Sequence, residues 1–405
     1  AGAGAGGAAG STGGAGGAGG MAPARPTECA GKPLPERALG SAPPWMIGPE
    51  AAGLEPYWPT AGWRMMEPAM LGFDPAKLAE AVDYDTPNAT TQAVMVIRHG
   101  YVAVEKYFGG FNASMRHESY SMAKSFSSAL VGIAIEAKLI PSVDEKLCKY
   151  YPMQWDCSDS SDPRSRITIS HAMNISTGLR WSEDWRSNAT GTNDVFLASV
   201  DMVGTVLARE AVDEPGTKMR YSTGDPSLLT GVIQGATGKT ALAYAQEVLF
   251  GPIGAMGIRW NSDGSNRTTT YAGLQATTAE YAKFGFLFLN NGKWDGKQIV
   301  PESWIAFTTQ PVDPCVDWYR YLWHQNSPVR LGPQDPACDS FYCAPASFTN
   351  LPHDAFFAEG INGQFSFIVP SADLVVVRLA NDGAGSENWD AFAREFLNKM
   401  LDAIK

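Results

Sequence analysis

The sequence predicts an α+β fold, and three features carry that prediction. β-Rich runs pair as hairpins at residues 92–107 and again at 365–380, the stretch 141–264 between them reads mostly as short helices, and Tyr120–Ile140 is apolar almost all round. A helix without a polar face is a buried one, so this last segment is expected to lie inside the protein.

The chain has 405 residues, 44% of them hydrophobic, which is ample for a sizeable core, and a formal net charge of -11. Nucleic acids and anionic membranes call for clustered Lys and Arg, so neither is an expected partner. No apolar run approaches the roughly 18 residues of a membrane-spanning helix.

Taken in order, residues 1–21 are almost entirely Gly, Ala, Ser and Thr and read as a flexible tether. This composition suits the spacer behind a lost, lipid-modified N-terminal cysteine, and equally a low-complexity or cloning segment. The expectation is an exported protein, periplasmic, at the cell surface or secreted, from which the signal peptide has been removed. Residues 22–69, rich in Pro, Gly and Trp, form an arm expected to wrap the body. An α/β domain is expected from 70–140 together with 265–405, and a mostly helical domain from 141–264.

Asp74 stands as an N-cap before Pro75 at the head of a short helix through Val82. Gln92–Ile97 and Tyr101–Tyr107 then read as two β-rich runs that form a hairpin through a His99-Gly100 turn. They deliver the chain to Ser121-Met122-Ala123-Lys124. On a helix, Ser121 and Lys124 sit at i and i+3 on one face, so the hydroxyl meets the amine. A serine becomes nucleophilic when a base takes its proton, and a lysine becomes a base when burial lowers its pKa. The apolar surroundings of Lys124 can do this. Four letters alone arise by chance, so partners must come from elsewhere in the chain.

Within 141–264, SVDEKLCKYYP, Ile167–Met173 and Asp194–Arg209 carry helical spacing. The block 215–233 places a Pro-Gly turn before Tyr221-Ser222-Thr223 and an apolar helix from Ser227. A tyrosine at the mouth of a helix can present its hydroxyl to a neighbouring lysine; the plain alternative is a core tyrosine. Thr278 is the expected cap of a helix with Tyr281, Phe284, Leu287 and Phe288 on its apolar face, closed by Asn291-Gly292. Near the C-terminus, Gly360-Ile361-Asn362-Gly363-Gln364 opens onto FSFIVP, a turn at 371–373 and LVVVRLA, a buried hairpin. A glycine-flanked strand start lets a backbone N–H approach a reacting carbonyl. Ser386–Ile404 ends the chain as an amphipathic helix, with Ser386 as its cap and Trp389, Phe392, Phe396 and Met400 on one face.

Six cysteines, at 29, 148, 157, 315, 338 and 343, suit disulfides in an oxidising compartment. Cys148–Cys157 is the expected local bridge, with at least one more within 315, 338 and 343. No zinc-finger spacing occurs and the histidines are scattered, so no metal is expected. Trp181 and Trp185, and Trp318, Tyr319 and Trp323, are candidate walls for a cleft or else ordinary packing, and 313–353 is a candidate lid.

Together, Ser121-Met122-Ala123-Lys124, the PGTxxxYS block at 215–222, the segment 273–304 and DAFFAEGxxGQ at 354–364 resemble the β-lactamase-related serine hydrolases. That superfamily includes class C β-lactamases, DD-peptidases, family VIII esterases and 6-aminohexanoate-dimer hydrolases, the last being the most similar. The resemblance spans roughly residues 70–400. It implies a β-lactamase/transpeptidase-like architecture, an antiparallel sheet flanked by terminal helices with a helical domain alongside. It implies Ser121 as nucleophile, Lys124 as proton acceptor and Tyr221 as proton shuttle, with the N–H groups of Ser121 and Gln364 as an oxyanion hole. No cofactor is implied.

Two departures bear on the substrate. Ile361-Asn362-Gly363 stands where lactamases and DD-peptidases carry K-T-G, so the cation that would hold a substrate carboxylate is missing. Thr223 replaces an asparagine able to hold an acyl-amide side chain. Both favour a small-molecule ester or linear amide, with Ile361, Asn362, Gly363, Trp181 and Trp185 as substrate-binding candidates. A penicillin-recognising or D-Ala peptidase-like protein, and a non-catalytic binding protein that has kept the fold, are the alternatives.

Overall fold

The computed structural model describes residues 54–55, 57–84, 90–183, 192–309, 319–326, 351–352, 354–381 and 389–405, together with a short backbone pairing of Glu28–Cys29 with Lys32–Pro33. Its centre is a seven-stranded sheet in which every neighbouring pair is antiparallel. The strands are β1 (Thr91–Arg98), β2 (Tyr101–Tyr107), β3 (Tyr319–Arg320), β4 (Trp323–Gln325), β5 (Phe356–Gly360), β6 (Gln364–Val369) and β7 (Leu374–Ala380), in the order β3-β4-β5-β6-β7-β1-β2. The two expected hairpins are therefore neighbours, because β7 closes onto β1.

Both faces of this sheet are covered, which is why its strands read as nearly unbroken apolar runs. Alternate residues part to opposite sides. Ala93, Met95, Ile97, Val375, Val377 and Leu379 join the cluster around the helix Ala123–Glu136. Val94, Val96, Leu374 and Val376 face Phe392, Phe396, Leu397 and Met400 of the C-terminal helix Trp389–Asp402, beside the helix Pro75–Val82. Asp74 caps that first helix through Ala76 and Lys77, as expected. Ser386 lies outside the described residues.

The central helix is buried along its length from Ala123 to Ala134. Phe126 stacks on Phe284 at 3.7 Å between ring centroids, and Gly132 leaves the space that Trp304 fills. The helix Thr278–Leu289 lies over β6, β7 and β1. Its cap is Thr277, one residue before the expected Thr278, because Glu280 reaches back to the Thr277 backbone and completes a capping box there.

The described residues of 141–264 hold short helices joined by loops, with a two-residue strand, Arg259–Trp260, near the end. The pattern at 194–209 is two helices, Thr192–Leu197 and Met202–Leu207, because Asp201 caps a new start through Gly204 N. SVDEKLCKYYP holds a single 3-10 turn, Leu147–Lys149, rather than a helix. Cys148 and Cys157 are bonded as expected, with Cα atoms 5.4 Å apart; the bridges expected within 315, 338 and 343 lie outside the described residues. The described part of the arm is pinned to the body, with the Trp63 indole donating to Ala279 O at 3.1 Å and the Lys283 ammonium donating to Thr60 O at 2.9 Å. Among the described residues no helix is long and apolar enough to cross a membrane.

Candidate active site

Three separate segments converge at the N-terminal end of the central helix, and each has a local reason to be there. The first is the loop before Ser121. His117–Glu118 pairs with Leu274–Ala276, and Ser119 N donates to Leu274 O at 2.8 Å. The Glu118 carboxylate accepts from Gly273 N at 2.7 Å and Tyr120 N at 3.2 Å. This anchoring holds Tyr120 at a φ of 46°, a left-handed conformation uncommon for a bulky side chain. Ser121 follows in a 3-10 turn, Tyr120–Met122, that runs straight into the helix.

One turn on, the Lys124 Nζ donates to Ser121 Oγ at 2.7 Å and to Tyr271 O at 3.2 Å. Lys124 is 1% exposed. Burial pulls its pKa down to about 8, and the negative charge of Glu183 opposes part of that fall. The amine is thus poised between its two forms near neutral pH, in contact with a hydroxyl.

The second segment brings Tyr221. The block 215–222 is docked on the loop after Ile175, with Gly216 N donating to Ser176 O at 2.8 Å and Arg220 N to Ile175 O at 3.0 Å. The Lys124 Nζ lies 5.4 Å from the Tyr221 ring centroid, and Tyr319 meets Tyr221 edge-on at 6.1 Å. Beneath it the Asp225 carboxyl accepts from Thr177 N at 3.2 Å and from the Ser222 hydroxyl at 3.1 Å.

Burial pushes Asp225 up to about 7, against an ordinary value of 3.8. The folded state then holds a proton between those values that the unfolded chain has lost, so the stability this group contributes is full below about pH 4 and gone above about pH 7. The span of about three units corresponds to on the order of 4 kcal/mol. Asp225→Asn can keep both hydrogen bonds without the charge. It is expected to leave the melting temperature near wild type at pH 3.5 and to raise it at pH 8; an equal effect at both pH values would refute the buried-charge account.

The third segment is the β5–β6 loop. Asn362 and Gly363 take φ of 66° and 83°, making the tight turn that returns the chain at Gln364. The Gly363 carbonyl accepts from Arg378 Nη1 at 2.9 Å, and the Asn362 carbonyl from Gln364 Nε2 at 2.9 Å. A trans peptide sets its C=O and N–H in opposite directions, so pinning Gly363 O on Arg378 turns the Gln364 N–H the other way. Arg378 is fully buried, bonded also to Thr91 Oγ1 and lying 4.3 Å from the Phe392 ring centroid.

Gly360 fixes the separation of this loop from the Ser119–Ser121 segment. A Cβ there would lie 2.2 Å from Ser119 O, a backbone atom with no room to yield. Gly360→Ala is expected to lower kcat/KM by about 10²-fold, the usual consequence of roughly 1 Å misplacement at a reacting centre. Unchanged kinetics in a variant of native melting temperature would show that the approach is not needed.

The segments that carry Ser121, Lys124, Tyr221, Ile361, Asn362, Gly363 and Gln364 lie close together. Trp181 is different. It is 5% exposed, packs edge-on against Phe196 and fills the space over Gly224, so it supports the second segment rather than walling an open cleft. Trp323 is likewise core. Trp185 and Trp318, and most of 313–353, lie outside the described residues. Ile361 is 40% exposed at the tip of its loop.

Sequence reading missed Glu118, Glu183, Asp225, Tyr271 and Arg378. None sits in a periodic pattern or a spaced motif, and Tyr271 acts through a backbone carbonyl that any residue possesses. The one available signal was chemical, an arginine inside the apolar run LVVVRLA. Among the described residues no cluster of three His, Cys, Asp or Glu side chains could hold a metal ion.

Residues 78–395 match the family model described as Beta-lactamase. The chain therefore belongs to the beta-lactamase family, whose members are generally serine hydrolases, and has the β-lactamase/transpeptidase-like fold. It is 22% identical over 350 residues to an uncharacterised protein of Alkalihalophilus pseudofirmus, covering 81% of this chain and 94% of that one. Among solved structures it is similar to a presumed 6-aminohexanoate-dimer hydrolase from Bacillus anthracis, with a TM-score of 0.63 and 20% identity over 77% of this chain and 79% of that one. A family VIII carboxylesterase is similar with a TM-score of 0.56 and 16% identity, over 81% and 96% of the two chains.

Proposed function

We propose that this protein cleaves an ester or linear amide through an acyl-enzyme on Ser121. The observation that carries the reading is the 2.7 Å contact between Ser121 Oγ and a Lys124 amine that burial drives toward its neutral form. Neutral Lys124 takes the Ser121 proton as Oγ attacks the substrate carbonyl carbon. The N–H groups of Ser121 and Gln364 hold the oxyanion of the tetrahedral intermediate. Its collapse breaks the bond to the leaving alcohol or amine, which takes its proton from the Lys124–Tyr221 pair. Water then attacks the acyl carbon, giving its proton back through Lys124 and freeing Ser121 with the carboxylic acid.

The surroundings favour an uncharged acyl or alcohol portion. Exposed Ile361 stands at the loop tip, and the Thr223 hydroxyl is already committed to Glu183. The likeness to a carboxylesterase and to a presumed amide hydrolase supports both bond types, with the ester favoured on chemical grounds. The Cys148–Cys157 bridge supports an oxidising, extracytoplasmic location; quantitative alkylation of both thiols in freshly lysed native cells would argue against it.

The test is hydrolysis of a short-chain p-nitrophenyl ester and a linear p-nitroanilide of matched acyl group, with mass spectrometry of rapidly quenched protein. An acyl adduct on the peptide containing Ser121, and faster ester turnover, is expected. Absence of both turnover and adduct would leave a binding protein as the better reading. D-Ala release from a stem peptide would make it a peptidase.

A further inference from the structure

Between the Ser176–Gly178 loop and the second motif stands a carboxylate that the chemistry above does not use. Glu183 accepts from Thr223 N at 3.1 Å, from the Thr223 hydroxyl and from the Trp181 indole N–H. Trp181 in turn fills the space over Gly224, two residues before Pro226 at the foot of the Tyr221 segment. One side chain thus ties three donors on two separate segments into the wall that presents Tyr221.

We propose that Glu183 is a positioning residue for the Ser121 reaction, locking Trp181 and Thr223 into the wall that presents Tyr221 and bringing a carboxylate charge to bear on the buried Lys124. The proposal rests on the reading of Lys124 as the proton acceptor.

The groups around Lys124 make the charge effect specific. Its own helix offers serine hydroxyls, Ser125 bonding Leu322 O and Ser127 bonding Thr270 O. The Tyr221 ring lies beside it, and Tyr271 offers it a backbone carbonyl while its own hydroxyl meets Met202 Sδ; burial first, then Asp263, Glu118 and Glu183, raises the pKa of that Tyr271 phenol well above its ordinary range. Asp225 and Arg220 lie behind Tyr221 and bear on each other. The carboxylate that acts on Lys124 is that of Glu183, and it favours the ammonium form against the pull of burial. Removing that charge therefore lowers the pH at which Lys124 loses its proton.

Glutamine is isosteric at 183 and can keep the network, its carbonyl accepting from Trp181 and Thr223 N and its amide donating to the Thr223 hydroxyl. Glu183→Gln removes charge with little change of shape, whereas Thr223→Val breaks one bond and keeps the charge. The experiment is the pH dependence of kcat/KM on the p-nitrophenyl ester, from pH 5 to 10, for wild type, Glu183→Gln, Glu183→Asp and Thr223→Val, with Asp225 common to all four. The expected result is an acidic limb displaced to lower pH in Glu183→Gln, so that its activity relative to wild type rises as pH falls. Glu183→Asp and Thr223→Val should keep the wild-type limb while losing several-fold in kcat.

A limb unmoved in Glu183→Gln, or moved equally in Thr223→Val, would overturn the proposal. If Glu183→Gln does not fold, a displaced limb in Glu183→Asp, which retains the charge, would overturn it instead. Failure of the underlying reading looks different: wild type would form no Ser121 adduct and show no limb that depends on Lys124.

Discussion

Ser121→Ala is expected to lower kcat/KM on the p-nitrophenyl ester by about 10⁴-fold or more, and to abolish the acyl adduct, while leaving the melting temperature close to wild type. The size follows from losing the covalent route altogether; only binding and the oxyanion donors remain to assist water. Stability should hardly change, because Ser121 is only half-buried and its partner Lys124 keeps a bond to Tyr271 O. Chromogenic assay with intact-protein mass spectrometry decides it. Equal residual activity in both proteins would place the chemistry somewhere other than the Ser121–Lys124 contact.

Lys124→Met is expected to lower kcat by about 10³-fold, within the range of lost general-base catalysis, and to remove the acidic limb near pH 8 from whatever activity remains. The same variant should be more stable than wild type at neutral pH. The sign follows from the depressed pKa. Between about 8 and the ordinary 10.5 the unfolded chain holds a proton that the folded state has released, so wild-type stability rises with pH across that window. Below it the buried ammonium costs on the order of 3 kcal/mol. Methionine fills a similar volume without charge. Its melting temperature should exceed wild type at pH 7 and converge with it by about pH 10.5; a Lys124→Met protein less stable than wild type at pH 7 would mean that the amine is bound better than its burial implies.

These two residues were readable because local geometry alone brings them together. Positions i and i+3 of one helical turn share a face whatever the rest of the chain does. The same holds for Asp74 before Pro75, for the His99-Gly100 turn and for the apolar β-branched runs of β1 and β7. In each case neighbours in sequence are neighbours in space. The error at Thr278 is of the same local kind, because Thr277 and Thr278 are both good caps and only the reach of the Glu280 side chain chooses between them.

What the sequence by itself determined was the α+β class, the buried central helix, the Ser121–Lys124 pair and the Cys148–Cys157 loop. What only the tertiary structure decided was everything set by contacts between distant segments. β7 lies against β1 although Val375 and its partner Ile97 stand 278 positions apart in the chain. Trp181 is support rather than cleft wall because Gly224 and Phe196 happen to enclose it. Glu183, a lone acid in a loop, gains its meaning from where Thr223 and Lys124 lie. Burial and charge act through space, and a one-dimensional pattern records neither until the fold has chosen which residues meet.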